Sequence, residues 1–151
     1  MITKNKTISK SKVALVRCDT YDDEKVYEAI KAGVNMLGGI VKFIKPGEKI
    51  VMKPNVLFGA NPEKCVTTHP SVFRATGKIL QEAKALVSYG DSPGFGKCEA
   101  NIKKAQLKQV ADELGIKMAD FDKGKSVPHS EALLNKRFTI ANGVLESDGL
   151  I

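Results

Sequence analysis

The sequence has no tryptophan, only 6% aromatic residues, two histidines and three cysteines among 151 residues. Each scarcity excludes something. Few aromatics leave few platforms on which bases stack, so a nucleic-acid partner is not expected. Cys18, Cys65 and Cys98 lie too far apart for the paired spacing of zinc or iron–sulfur ligands, so no metal is expected in this chain. Their odd number and wide spacing predict reduced thiols and a cytoplasmic location. No apolar run approaches the ~20 residues of a membrane span, so no membrane partner is expected. The opening "MITKNKTISKSK" also lacks the apolar stretch of a secretion signal. Residues 1–12 hold Lys4, Lys6, Lys10 and Lys12 and no acid, so this segment supplies over half of the net charge of +7. We read 1–12 as a basic flexible tail and 13–151 as one α/β domain.

What is present is a regular alternation. "KVALVRCD" (12–19), "KIVMKPN" (49–55), "ALVSYG" (85–90) and "IKMADFD" (116–122) read as buried strands. Helices are expected between them. The first starts near Thr20 and Asp23 with capping-box spacing and stops at Gly38–Gly39. The second starts at Pro70, with Thr67 and Thr68 as caps and Val72, Thr76, Ile79, Leu80 and Ala83 facing inward. A third runs from Cys98 to Gly115. The expected fold is three-layer α/β and Rossmann-like: a mostly parallel twisted sheet with helices on both faces. A C-terminal antiparallel hairpin turning at Asn142–Gly143 is expected after it. The final "DGLI" enters another strand, which predicts that 13–151 is the N-terminal part of a longer domain.

In open parallel sheets, ligands bind beyond the carboxyl ends of the strands, where loops and helix N-termini converge. The candidates are therefore Asp19, Lys53 and Asn55, the turn "GDSPGFG" (90–96), and Asp120 and Asp122. Lys53 either pairs with an anion or acts as a base, or snorkels at the sheet rim. Gly90, Gly94 and Gly96 either let amides approach an anion or build a tight turn; Ser92 adds a hydroxyl. Asp91 points into the crevice toward an ion, a hydroxyl or Lys53, or caps its own turn. Thr68 and His69 open the second helix, where His69 binds a ligand or moves a proton, or organises the loop. Lys53, His69 and Asp91 are the catalytic candidates. His129 has no clear partner, and reactivity or inert packing stays open for Cys65 and Cys98.

Three motifs in order, "KPNVLFGANPEKCVTTHPSVFRA", "GDSPGFG" and "ESDGLI", resemble the domain of unknown function 362 family. The resemblance covers about 13–151 and marks Lys53, Pro54, Asn55, Thr68, His69, Pro70, Gly90, Asp91, Ser92, Pro93 and Gly94. Members of that family often carry a ferredoxin-like module with two iron–sulfur clusters. The resemblance thus implies a redox neighbourhood, with any cluster in a separate module or partner. It also implies a further "PKxKTH" segment, which this chain stops short of. An anionic small molecule is the expected ligand. A non-catalytic domain that docks on an iron–sulfur partner, or on a second copy of itself, is the alternative.

Overall fold

Two short apolar runs build the centre of the molecule, whose computed structural model describes residues 11–151. β1 (Lys49–Met52) and β2 (Leu86–Tyr89) pair in parallel, from Lys49 opposite Leu86 to Met52 opposite Tyr89. β3 (Lys117–Met118) adds beside β2 and β6 (Gly149–Leu150) beside β1, both parallel. The sheet order is β3-β2-β1-β6. Side chains alternate across a strand, so Ile50, Met52, Val87 and Tyr89 share one face. There they meet Phe73, Leu80, Ile102, Leu107 and Val110 in the main core.

Helices flank this sheet. α2 (Pro70–Glu82) packs against both α1 (Asp23–Met36) and α4 (Leu107–Leu114). Pro70 sits in the first turn, where its missing N–H has no intrahelical partner to lose. The buried side of α2 is Ser71, Phe73, Ala75, Gly77, Ile79 and Leu80. Of the expected inner face, Ile79 and Leu80 are buried as expected, whereas Val72, Thr76 and Ala83 are only half-buried; Thr76 looks into a cavity beside α1. α1 is capped by Asp22, whose carboxylate accepts from Lys25 N at 3.1 Å, rather than by Thr20. Gly38 and Gly39, both at positive φ, end it as expected.

Four expectations are corrected. Residues 12–19 form no strand: Val13 and Leu15 are exposed, and Val16 lies against Gly33 of α1. The place beside β1 is taken by β6, and a strand without a partner leaves its backbone groups unpaired. The third helix is broken. α3 (Cys98–Lys104) and α4 are separated by Gln106 in the left-handed region, φ 61°. The break lets Ile102 and Leu107, both fully buried, enter the same core. A separate antiparallel pair does exist, but as β4 (Gly124–Pro128) with β5 (Arg137–Ala141). Asn142–Gly143 is not its turn. It starts the short helix α5 (Asn142–Leu145), because Asn142 donates to Asp120 and Gly143 fits against Ala119 and Phe121. No strand was expected between the 116–122 strand and the hairpin, where β4 lies. The basic tail lies almost wholly outside the described residues.

Burial pushes the Tyr89 hydroxyl up to about 12, with the negative charge of Asp112 adding to it. An unfolded tyrosine titrates near 10. The stability from neutral Tyr89 is therefore complete below about pH 10 and is lost as pH rises toward 12. Tyr89→Phe should spare the protein about 2 kcal/mol of this loss by about pH 11.5. Urea unfolding of both proteins at neutral and alkaline pH checks it; parallel losses would contradict the assignment.

Candidate functional site

β1 ends at Met52 because the chain next reads Lys-Pro-Asn. Lys53 makes the last ladder contact, its N–H donating to Ile151 O at 2.8 Å. Pro54 follows with no N–H to continue the ladder. On the other side Gly90 N donates to Met52 O at 3.1 Å. Lys53 thus leaves the sheet between the carboxyl ends of β2 and β6, and Asp91 leaves β2 one residue after Gly90.

These two exits bring opposite charges together. Lys53 Nζ lies 2.7 Å from Asp91 Oδ1 and donates to Asn55 Oδ1 at 2.9 Å. Asp91 is 3% exposed, and its other oxygen, Oδ2, accepts from the buried Val56 N–H at 2.8 Å. The ammonium sits off the hydrogen-bonding directions of Oδ1, so that buried oxygen has a charge partner but no directed hydrogen bond. Of the three ammonium protons, Asn55 takes one. Asp91 therefore does two jobs: it holds Lys53 and it fixes the 55–60 loop.

A second set of contacts ties that loop to the glycine-rich turn. Phe95 N donates to Leu57 O at 3.3 Å, and the Asn101 side-chain amide donates to Phe95 O. Gly59, at φ 62°, lies so close to α3 that a Cβ there would sit 2.6 Å from Asn101 Cα. Gly90 has no room either: its Cβ would meet the Phe121 ring at 2.3 Å. Gly90 is thus required by packing, and Gly96, at φ 74°, by the turn. A Cβ at Gly94 would make ordinary contact with Leu57, at 3.6 Å, and Ser92 is exposed, its hydroxyl donating to Phe121 O at 3.3 Å.

Behind Lys53 lies a cavity of about 200 Å³ between α1, α2 and the end of β1. Its walls are mostly apolar, among them Ile30, Val34, Phe73, Leu80 and Ile151; Lys53, Thr68 and Thr76 are its polar members. Lys53, Asn55 and Asp91 therefore form one contact group, and Thr68 shares a cavity with it.

His69 is not part of that group. It is the N-cap of α2: Nδ1 accepts from Ser71 N at 3.2 Å and lies 2.8 Å from Ser71 Oγ. The ring stacks on Tyr21, centroids 3.8 Å apart. It borders a different, polar cleft with Asp23, Glu63, Arg74 and Gln106. The cap is thus His69 rather than Thr67 or Thr68. Asp19 also stands apart, exposed and paired with Arg17. Asp120 binds Asn142 and the N–H groups of Asp122 and Lys123, which hold its carboxyl below the usual range. Burial pushes the Cys98 thiol up, so it stays protonated. Cys18 and Cys65 are exposed. No three His, Cys, Asp or Glu side chains gather as metal ligands among the described residues, so these residues do not fit an iron–sulfur cluster.

Asn101, Gly59 and the wall supplied by Ile151 were not among the expected residues. For Asn101 a signal existed. It falls with Cys98 and Ile102 on the buried stripe of α3, where an amide must have a partner.

The residues of this group lie within a stretch that has relatives among known sequences. The family model "Domain of unknown function (DUF362)" matches residues 50–151, from within β1 through β6. The chain belongs to the DUF362 family. The DUF362 match contains Lys53, Asn55, Thr68, His69 and the whole 90–96 turn. The chain is also similar to the "Thylakoid-associated protein sll1697" of Synechocystis sp. (strain ATCC 27184 / PCC 6803 / Kazusa), with 28% identity over 127 residues. That alignment covers 84% of this chain and 40% of the relative, so this DUF362 chain spans well under half of that protein. No solved structure matches. No helix among the described residues is long and apolar enough to cross a membrane.

Proposed function

We propose that this DUF362 domain binds a small anionic molecule with an apolar body at the carboxyl end of β1. One observation carries the reading: an ammonium fixed by Asn55 and Asp91 stands beside an apolar cavity of about 200 Å³. Asp91 offsets the charge of Lys53, so long-range attraction is weak. Affinity then comes from burying the apolar body, while a Lys53 N–H orients the acid group. The cavity is smaller than the ~300–1,000 Å³ of drug-sized sites, which limits the ligand to a small one. Any redox role belongs to a partner or a further module rather than to these residues.

Hexanoate is a suitable probe, with hexanol and inorganic phosphate as its separate halves. Hexanoate should raise the melting temperature, hexanol less, and phosphate not at all. The double variant Lys53→Gln/Asp91→Asn removes both charges without leaving one buried alone. It should weaken hexanoate by roughly 10-fold or more and leave hexanol unchanged. No stabilisation by hexanoate, or an equal loss for both probes, would overturn the reading.

A further inference from the structure

We propose that the β4–β5 ribbon is a docking arm for an anionic membrane surface. Outside its own two strands, its substantial contact is with α5. A two-stranded ribbon is marginally stable alone, and this one leaves apolar groups in water. Leu133 and Leu134, in the connecting loop, are 96% and 91% exposed. The loop beneath them is braced. His129 N donates to Lys136 O at 2.8 Å, and the Lys136 ammonium binds the carbonyls of Ser130 and Ala132. The leucines are thus presented by a closed loop.

The ribbon is also two-faced. Val127 stands opposite Phe138, and Lys125 opposite Ile140, so these four side chains share one face. Ser126, Thr139 and Arg137 occupy the other, where Arg137 Nε donates to Ser126 Oγ at 3.0 Å. Phe138 is 41% exposed. Between residues 123 and 137 stand Lys123, Lys125, Lys136 and Arg137 against Glu131. An apolar tip on a ribbon with a surplus of cations along its length matches a bilayer with anionic headgroups: the leucines enter the interface and the cations of the strands meet the phosphates. A second copy fits worse, because two such arms repel. A loop tip needs no spanning run, so it can lie on a membrane without a long apolar stretch.

The test is co-sedimentation of the full chain with vesicles of phosphatidylcholine, alone or with phosphatidylglycerol, at low and high salt. Binding is expected to the anionic vesicles at low salt, with release by salt and none to neutral vesicles. Leu133→Asn/Leu134→Asn should weaken it at least about 10-fold, and Lys123→Gln/Lys125→Gln about 20-fold. All four positions are exposed, so far-ultraviolet circular dichroism should be unchanged. The leucine pair separates the arm from the basic segment 1–12, whose attraction would survive that change. No binding to anionic vesicles, equal binding by the leucine variant, or dimerisation that the leucine variant abolishes would overturn the proposal.

Discussion

Asp91→Ala is expected to destabilise the domain by about 3 kcal/mol, and Asp91→Asn by about 1. The difference follows from what each oxygen does. The buried Val56 N–H depends on Oδ2, and a buried donor left without an acceptor costs about 1–3 kcal/mol. Asparagine keeps an acceptor at that place; alanine keeps none and opens a small void. The ion pair contributes the lesser part, because the Lys53 side chain is 36% exposed and solvent screens it. Urea unfolding measures both. If alanine proves no worse than asparagine, Asp91 serves Lys53 alone and the 55–60 loop is held by something else.

Gly59→Ala should be at least as damaging, on the order of 3 kcal/mol or more. A side chain there faces two obstacles. The left-handed backbone disfavours any Cβ, by about 1 kcal/mol, and the nearest neighbours are the Cα and carbonyl oxygen of Asn101, 2.6 and 2.7 Å away. Backbone cannot rotate aside as a flexible side chain can, so α3 must move. Gly47→Ala is the control: it too has positive φ, but nothing lies within 4 Å, so it should cost only about 1 kcal/mol. Equal costs at the two sites would show that α3 yields easily. The same variant should loosen the 90–96 turn, since Asn101 also holds Phe95.

The strands that could be read in advance were those buried on pairing, such as Ile50-Val51-Met52, where apolarity and extended structure coincide. The run at 12–19 looked similar, but the place beside β1 is taken by residues 149–150, and 12–19 lies against α1 instead. Asn142–Gly143 carried a strong turn signature, yet the Asp120 carboxylate and the Phe121 ring reassign both residues. The site shows the same division. Lys53, Asn55 and Asp91 follow strand ends, so parallel topology alone brings them together. His69 also borders a helix start, but its ring caps that helix and lines a different cleft from Lys53. Which way a side chain turns at a helix entry is decided by neighbours such as Tyr21 and Ser71, which are distant or ambiguous in one dimension.

β6 places a timing constraint on the molecule. Asp148 Oδ2 receives the Lys49 N–H across 99 positions of sequence, and Ile151 closes both the β1 edge and one wall of the cavity. Contacts so far apart in the chain form late, because a long loop must close before they give anything back. During synthesis, β1 and the helices that follow it emerge long before the residues that finish them. The edge of β1 must then stay open while more than ninety residues are made, an interval in which a chaperone or another strand competes for it.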